Sequence, residues 1–501
     1  MPTSAVPQDR RDTDGHDGKP IDLAGARLHF VGIGGCGMSG LARIVREAGA
    51  ACSGTDMAGS DIIDDLRVDG IEVTLSQTAG EVPSHCDMMV ISAAIGPDHP
   101  QVCEAQRRGI EVLKYSQLLG RLMIGRNGVA VAGTHGKSTT TSLLSHVLIE
   151  AGLDPTFIVG ATCRQIGGGC RVGGADRPLN AEACEFDRSF HNLHPTHAVI
   201  LNVEEDHLDV YRNLDEIVES FAVFARSLPS HGTLLIQHEL PHRVAISDEL
   251  PCVVETIGFD PQAQWRVEVV ACTDADPAEF DVRATTFEVC LHHRGQRVAR
   301  WINPMPGEHM AYDAAVAAVM AHRLGASWAD VESAISSFQG LDRRMQTVGV
   351  RRVGDEDAVE PGDPAVTVID DYGHHPTEID ATLRALRRHF DPDRLICVFQ
   401  PHQHSRTRFL MEQFAVSFSV ADIVIVPHIY FVRDSEQERH SVRAADLVDR
   451  LRKQGVQAMH LYPFGAIVEQ LELIVRDGDL LVTMGAGDVW KIARDFLAAD
   501  G

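Results

Sequence analysis

The run Gly128-Val129-Ala130-Val131-Ala132-Gly133-Thr134-His135-Gly136-Lys137-Ser138-Thr139 decides the fold. Its five small or apolar leading residues predict a strand buried on both faces. The glycines that follow predict a tight loop, and the pattern from about Thr139 to Ala151 predicts a helix. A triphosphate needs converging backbone N–H groups, a helix N-terminus behind them and a cation beside its β/γ bridge. Gly133 and Gly136 let the backbone approach closely, Lys137 supplies the cation, and the Ser138 hydroxyl can ligate Mg2+. The common phosphate-loop pattern has a further glycine two positions before Gly133, where this chain carries Val131. The loop therefore predicts ATP binding in a shortened form, Gly-Thr-x-Gly-Lys-Ser/Thr.

Strand-then-loop openings recur on both sides of this run. Upstream, Leu28-His29-Phe30-Val31 leads into Gly32-Ile33-Gly34-Gly35-Cys36-Gly37 and a helical pattern over Met38 to Ala48. Gly32, Gly34 and Gly37 fit Gly-x-Gly-x-x-Gly, and Asp56 ends the next predicted strand. That combination calls for a pyrophosphate on a helix N-terminus and a ribose diol near the carboxylate. NAD and a UDP-sugar both offer those groups. Downstream, Leu395-Ile396-Cys397-Val398-Phe399 runs into Gln400-Pro401-His402, and Ile423-Val424-Ile425-Val426 and Leu480-Leu481-Val482-Thr483-Met484 read as short covered strands. Strands alternating with helices throughout predict an α/β protein.

Behind the phosphate loop come two acidic segments. Glu182-Ala183-Cys184-Glu185 is the first, and Asn202-Val203-Glu204-Glu205-Asp206-His207-Leu208-Asp209 follows the apolar run Ala198-Val199-Ile200-Leu201. Residues just past the C-terminal end of a parallel strand lie at the ligand crevice, where a carboxylate and an imidazole could hold Mg2+ beside a γ-phosphate.

At 501 residues the chain is too long for one core, and about three domains are expected. No stretch reaches the ~18 consecutive apolar residues that a membrane span needs. The polar first twenty residues lack an apolar segment and read as a disordered extension, not a signal peptide. Eleven cysteines with no Cys-x-x-Cys pair predict reduced thiols and a cytoplasmic setting. A formal charge of −26 disfavours binding to nucleic acid or to an anionic membrane. Anionic substrates must then be held by helix N-termini, glycine loops and individual Arg and Lys side chains.

Taken together, the motifs resemble the Mur ligases, the ATP-dependent amide ligases of peptidoglycan precursor synthesis. The resemblance rests on Gly133 to Ser138, the Glu182 segment, Asn202 to Asp209, Pro306-Gly307-Glu308-His309, Arg343-Arg344 and Asp370-Asp371-Tyr372-Gly373-His374-His375-Pro376. It covers residues 26–497, in order. It implies three domains: an N-terminal Rossmann-like UDP-binding domain over 23–125, a central P-loop-type ATPase over 126–343 and a C-terminal Rossmann-like domain over 344–501, after an extension over 1–22. Gly32 to Gly40 and Phe399-Gln400-Pro401-His402 point to the branch that joins L-alanine to UDP-N-acetylmuramate. An acyl phosphate is the implied intermediate, and no obligate protein partner is implied.

Carried over by residue, Lys137, Glu182, His207, Arg344 and His375 are the implied catalytic set. Gly133, Thr134, His135, Gly136, Lys137, Ser138, Thr139, His309 and Arg344 would hold ATP. Ser138, Glu182 and His207 would hold Mg2+. Gly32, Gly34, Gly35, Gly37, Met38, Ser39, Asp56, His374, His402 and Arg406 would hold the substrates. Four departures stand out: Met310 and Asp313 replace two amides of the family pattern, Gln403 replaces an Arg, His428 an Asp, and Cys184 an Asp. Sister ligases use a carbamylated Lys in the central domain, whereas this chain has no Lys between Lys137 and Lys453. Three other readings remain open. One is a ligase recycling whole murein peptides, for which Ala would be expected in place of Gly373. The others are a nicotinamide-dependent oxidoreductase and a non-catalytic nucleotide-binding regulator.

Overall fold

Strands that are wholly apolar in the sequence form the centres of three sheets, because only strands covered on both faces bury every side chain. A computed structural model describes residues 21–271, 287–353, 365–432 and 434–499. Most of the expected N-terminal extension lies outside these residues.

The first sheet is entirely parallel, in the spatial order Glu72–Thr74, Ala51–Thr55, Arg27–Val31, Met88–Ile91, Glu111–Lys114. The chain order reverses beside Arg27–Val31, which opens a crevice at that strand's C-terminal end. The second sheet has ten strands. Its parallel centre places Gly128–Ala132 between His197–Ile200 and Leu179–Ala183. An antiparallel meander of Trp265–Ala271, Phe287–His293 and Gln296–Asn303 extends one side. The third sheet has six strands, with Val366–Asp371, Leu480–Met484, Leu395–Phe399, Ile423–Val426 and Gln457–His460 parallel and Gln346–Arg351 antiparallel at the edge. The molecule is thus a three-domain α/β protein, as expected.

Helix Lys137–Glu150 follows the phosphate loop and is buried from Thr139 to Leu148. It is buried all round although Thr139 to Ser142, Ser145 and His146 are polar, and Thr141 and Ser145 satisfy their hydroxyls on carbonyls one turn back. Here it lies under the second sheet and against Glu308–Arg323, itself buried from Met310 to Ala321. The many alanines of that second helix let the two backbones come close. Helix Tyr115–Met123 joins the first domain to the second by the same device. A Cβ at Gly120 would sit 1.8 Å from the carbonyl oxygen of Asn192, so only glycine permits that crossing. The first packing builds the core of the second domain, and the second sets the first domain against it. Among the described residues no helix is long and apolar enough to cross a membrane.

Candidate active site

The phosphate loop takes backbone conformations that glycine allows. Gly133 has φ 147° and Gly136, which caps the helix, has φ 84°. A side chain at either position would be strained. Asn202 pins the loop from the neighbouring strand end. Its Oδ1 accepts from the His135 N–H at 2.8 Å and its Nδ2 donates to the His135 carbonyl at 3.1 Å. Thr134 Oγ1 accepts from the Glu204 N–H at 2.9 Å. These three hydrogen bonds tie the loop to the end of the neighbouring strand.

The Lys137 ammonium donates to the carbonyls of Gly133 and Thr134 and pairs with Glu185 Oε2 at 3.0 Å. Burial works against its charge, but Glu185 more than offsets this and holds the pKa above the ordinary lysine range. His207 Nε2 lies 3.9 Å from Glu185 Oε1. Glu182, named from the sequence, lies in the strand Leu179–Ala183 and accepts from the Gly160 N–H at 2.7 Å. The carboxylate against Lys137 is thus Glu185, three residues on. The sequence signal was present, since both glutamates sit in one Glu-Ala-Cys-Glu run, but nothing in the spacing chose between them.

The third domain closes over this loop. Arg406 donates from Nε (2.9 Å) and Nη2 (2.7 Å) to Asp206 Oδ1, and both side chains are buried. Burial alone would raise the Asp206 pKa, yet His207 and Arg406 hold it well below the carboxylate range. Arg406, expected to grip a substrate carboxylate, grips one of the protein's own. His135 Nδ1 lies 3.2 Å from Glu378 Oε1, and its ring packs on His375 with centroids 4.7 Å apart. Burial lowers the His135 pKa, but Glu378 and Glu204 outweigh it and raise it to about 9. Arg344 pairs with Glu378 at 3.6 Å and lies over the Tyr372 ring. His374 is 3.5 Å from Glu378 Oε2, and burial lowers its pKa to about 4. Glu378 is the hub that sequence reasoning missed. Its visible signal was local only, as the acidic end of a His-Pro-Thr-Glu capping box.

A cavity of about 460 Å3 opens beside the loop, lined by His135, Gly136, Thr139, His309, Asp313 and Arg344 among others. Its volume suits a nucleotide-sized ligand. His309 is buried and its pKa falls to about 4 for that reason. Met310 and Asp313, the two lost amides, both line this cavity. Burial raises the Asp313 pKa to about 8. His402 stacks on Tyr430 (centroids 5.7 Å) and its Nδ1 lies 3.2 Å from Arg406 Nη1. Gln403 is buried with φ 68°, and His428 is exposed against Tyr462. Cys184 is exposed between the two glutamates.

The first glycine loop forms a separate site. Gly34 N–H donates to Asp56 Oδ2 at 2.8 Å, and Asp56 Oδ1 accepts from the Met57 N–H at 2.7 Å. Asp56, expected to meet a ribose, fastens the loop that precedes it. A cavity of about 190 Å3 is lined by Gly35, Gly37, Met38, Ser92, Lys114 and Tyr115, with Ser189 from the second domain. Gly32 lies under Ser92, and Ser39 is buried one turn into the helix. Lys114 bridges to Asp187 of the second domain at 2.7 Å. Lys114 and Tyr115 were not singled out in the sequence, because they follow an unmarked strand.

Family comparison agrees with this layout along nearly the whole chain. Residues 27–127 match the Mur ligase family catalytic domain, 131–321 the Mur ligase middle domain and 343–487 the Mur ligase glutamate ligase domain. A protein of Lachnospira eligens named UDP-N-acetylmuramate--L-alanine ligase is 37% identical over 94% of this chain and 97% of its own length. One of the same name from Agathobacter rectalis is 37% identical over 96% of this chain and 98% of its own. Among solved structures, the UDP-N-acetylmuramate-alanine ligase of Thermotoga maritima has a TM-score of 0.74 at 24% identity, covering 94% of this chain and 98% of that one. A murein peptide ligase of Psychrobacter arcticus has a TM-score of 0.65 at 21% identity, covering 95% and 98%. At these identities the two structures speak to the fold. The three matched domains and the relatives of nearly equal length together place the chain: it belongs to the Mur ligase family.

Proposed function

We propose that this chain joins L-alanine to the carboxylate of UDP-N-acetylmuramate, converting ATP to ADP and phosphate, in peptidoglycan precursor synthesis in the cytoplasm. The observation that carries the reading is the meeting, around one cavity, of the Lys137 loop with Arg344 and Glu378 of the third domain. Likeness over nearly full length to ligases of that name supports it.

In this reading the first domain, residues 23–125, holds the UDP group on its glycine loop beside Lys114. The second, 126–343, holds ATP, and the third, 344–501, brings the amino acid. The sugar carboxylate attacks the γ-phosphorus and ADP leaves. The alanine amine then attacks the acyl carbon and phosphate leaves. Negative charge gathers at the transferring phosphoryl group in both steps, so fixed cations aimed there lower the barrier. Lys137 exchanges Glu185 for phosphate oxygens, and Arg344 meets the same charge from the third domain. His375 and His374 border the acceptor side, with His402 behind them.

Ser138, Glu182 and His207 supply the hydroxyl, carboxylate and imidazole that Mg2+ accepts, and Glu185, 3.9 Å from His207, adds a second carboxylate to the set. A bound Mg2+ would neutralise phosphate charge there. ADP release measured with UDP-N-acetylmuramate and a panel of amino acids tests the reading, with L-alanine expected to be the preferred amine. Release supported only by the peptide L-Ala-γ-D-Glu-diaminopimelate would replace it with murein peptide recycling.

A further inference from the structure

We infer that His135, Glu204 and His375 form a transition-metal site of zinc type, separate in its ligands from the Mg2+ set, that staples the phosphate loop to the third domain. Their donor atoms all lie within 4.8 Å of one another. His135 Nε2 is 3.6 Å from Glu204 Oε2, and His375 Nδ1 is 3.9 Å from the same oxygen. Donors at the corners of a tetrahedral zinc site stand about 3.4 Å apart, given metal–ligand bonds of roughly 2.0–2.2 Å. Small side-chain rotations therefore complete the geometry.

The surrounding hydrogen bonds carry the argument further. A metal-binding imidazole is oriented when its other nitrogen donates to a carboxylate or a carbonyl. Both histidines have such an anchor. His135 Nδ1 faces Glu378 Oε1 at 3.2 Å, and its buried Nε2 makes no hydrogen bond. His375 Nε2 faces the Glu205 carbonyl at 3.1 Å, leaving Nδ1 turned toward Glu204. That Nδ1 now accepts only a long contact of 3.3 Å from the Thr377 N–H, which a metal would replace. Glu204 is itself held, since Thr377 Oγ1 donates to its Oε2 at 2.5 Å. Two imidazoles, one carboxylate and an open fourth position form a donor set that zinc prefers and Mg2+ does not. Metal uptake requires His135 to bind through a neutral imidazole, so affinity rises with pH. Because two ligands come from the second domain and one from the third, the bound ion resists domain opening and inhibits turnover.

Equilibrium dialysis of the full-length protein against zinc sulfate, without nucleotide, tests the site. One ion per chain is expected, with affinity falling at least tenfold in His135→Ala and in Glu204→Gln and unchanged in His207→Ala. Glu204→Gln keeps shape and hydrogen bonding, so it serves if His135→Ala folds poorly. Co2+ in place of zinc should give the intense visible absorption of tetrahedral coordination in the wild type and lose it in either variant. Absence of zinc binding, equal affinity in Glu204→Gln, or loss of the site in His207→Ala would each overturn the proposal. Turnover is not needed for any of these readings, so they stand or fall apart from the amide-ligase assignment.

Discussion

Two glycine loops, each following a buried strand and opening a helix, have become different tools. The loop at Gly32 to Gly37 closes on Asp56, and its helix is capped by Gly35 in ordinary extended backbone with φ −68°. The loop at Gly133 to Gly136 turns through left-handed backbone, presents Lys137 and His135 and is fastened by Asn202. The first offers N–H groups and space. The second adds cations, and those cations are already paired with Glu185 and Glu378. Binding a phosphate chain at the second loop is therefore an exchange of anions. At the first the loop itself carries no cation, and the nearby Lys114 is bridged to Asp187. Under the proposed function the same local motif would serve recognition in one place and charge neutralisation in the other.

The largest effect should come from breaking the second loop's charge. Lys137→Ala is expected to lower kcat for ADP release by about 10³-fold or more, while binding of UDP-N-acetylmuramate, measured by calorimetry, stays near wild type. Equal loss of sugar-nucleotide binding would erase the distinction between the loops.

Next is Glu185→Gln, which removes the anion that occupies Lys137. It should weaken the acyl-transfer rate by roughly 10²-fold, as expected for a group that helps organise the reacting charge. Tighter binding of ADP in fluorescence titration should accompany it. Weaker ADP binding would show that Glu185 does not compete with phosphate for the lysine.

A smaller change is expected at the first loop. A Cβ at Gly34 would lie 2.9 Å from Asp56 Oδ2 and 3.3 Å from Ile63. Gly34→Ala should raise the KM for UDP-N-acetylmuramate about tenfold with kcat and the KM for ATP little changed. A fall in kcat alone would mean that this loop also shapes the chemistry.

The smallest effect concerns Asp313, packed beneath Gly136, whose pKa burial raises from 3.8 to about 8. A folded-state pKa above the unfolded one means that the protonated form stabilises the fold. That contribution is complete below pH 3.8 and is lost as pH rises through 8. Asp313→Asn cannot ionise, so it should melt higher than wild type at pH 8, by ~5 °C, with the gain fading toward pH 4. Parallel melting curves at both pH values would refute the buried carboxyl as the cause.

Much of this was legible before any coordinates. Runs such as Gly128 to Ala132 and Ile423 to Val426 have one stable solution, a strand covered on both faces, and both are strands with every residue buried. The helix after the phosphate loop begins at Lys137, two residues before the sequence reading, because Gly136 caps it in left-handed backbone. Lys137, His207, Arg344 and His375 were named from motifs; in the fold Lys137 and His207 both lie by Glu185, and Arg344 and His375 both adjoin the His135–Glu378 pair. Glu185, Glu204, Glu378 and Asp206 were left without roles, since a carboxylate in an acidic loop looks the same whether it is solvated or buried against a cation.

The sequence by itself determined the alternation of strands and helices, the position of the phosphate loop and the family. Those depend on short-range chemistry: side-chain periodicity, glycine backbone freedom and a lysine at a helix start. Only the tertiary structure decided which charges meet. Arg406 and Asp206 are 200 positions apart, and His375 reaches the Glu205 carbonyl across 170. No periodicity spans such distances, because the partner of a buried charge is set by how domains dock and what water they exclude. The contacts of Arg406 with Asp206, of His375 with the Glu205 carbonyl and of Thr377 with Glu204 hold the third domain on the second, and with it the site.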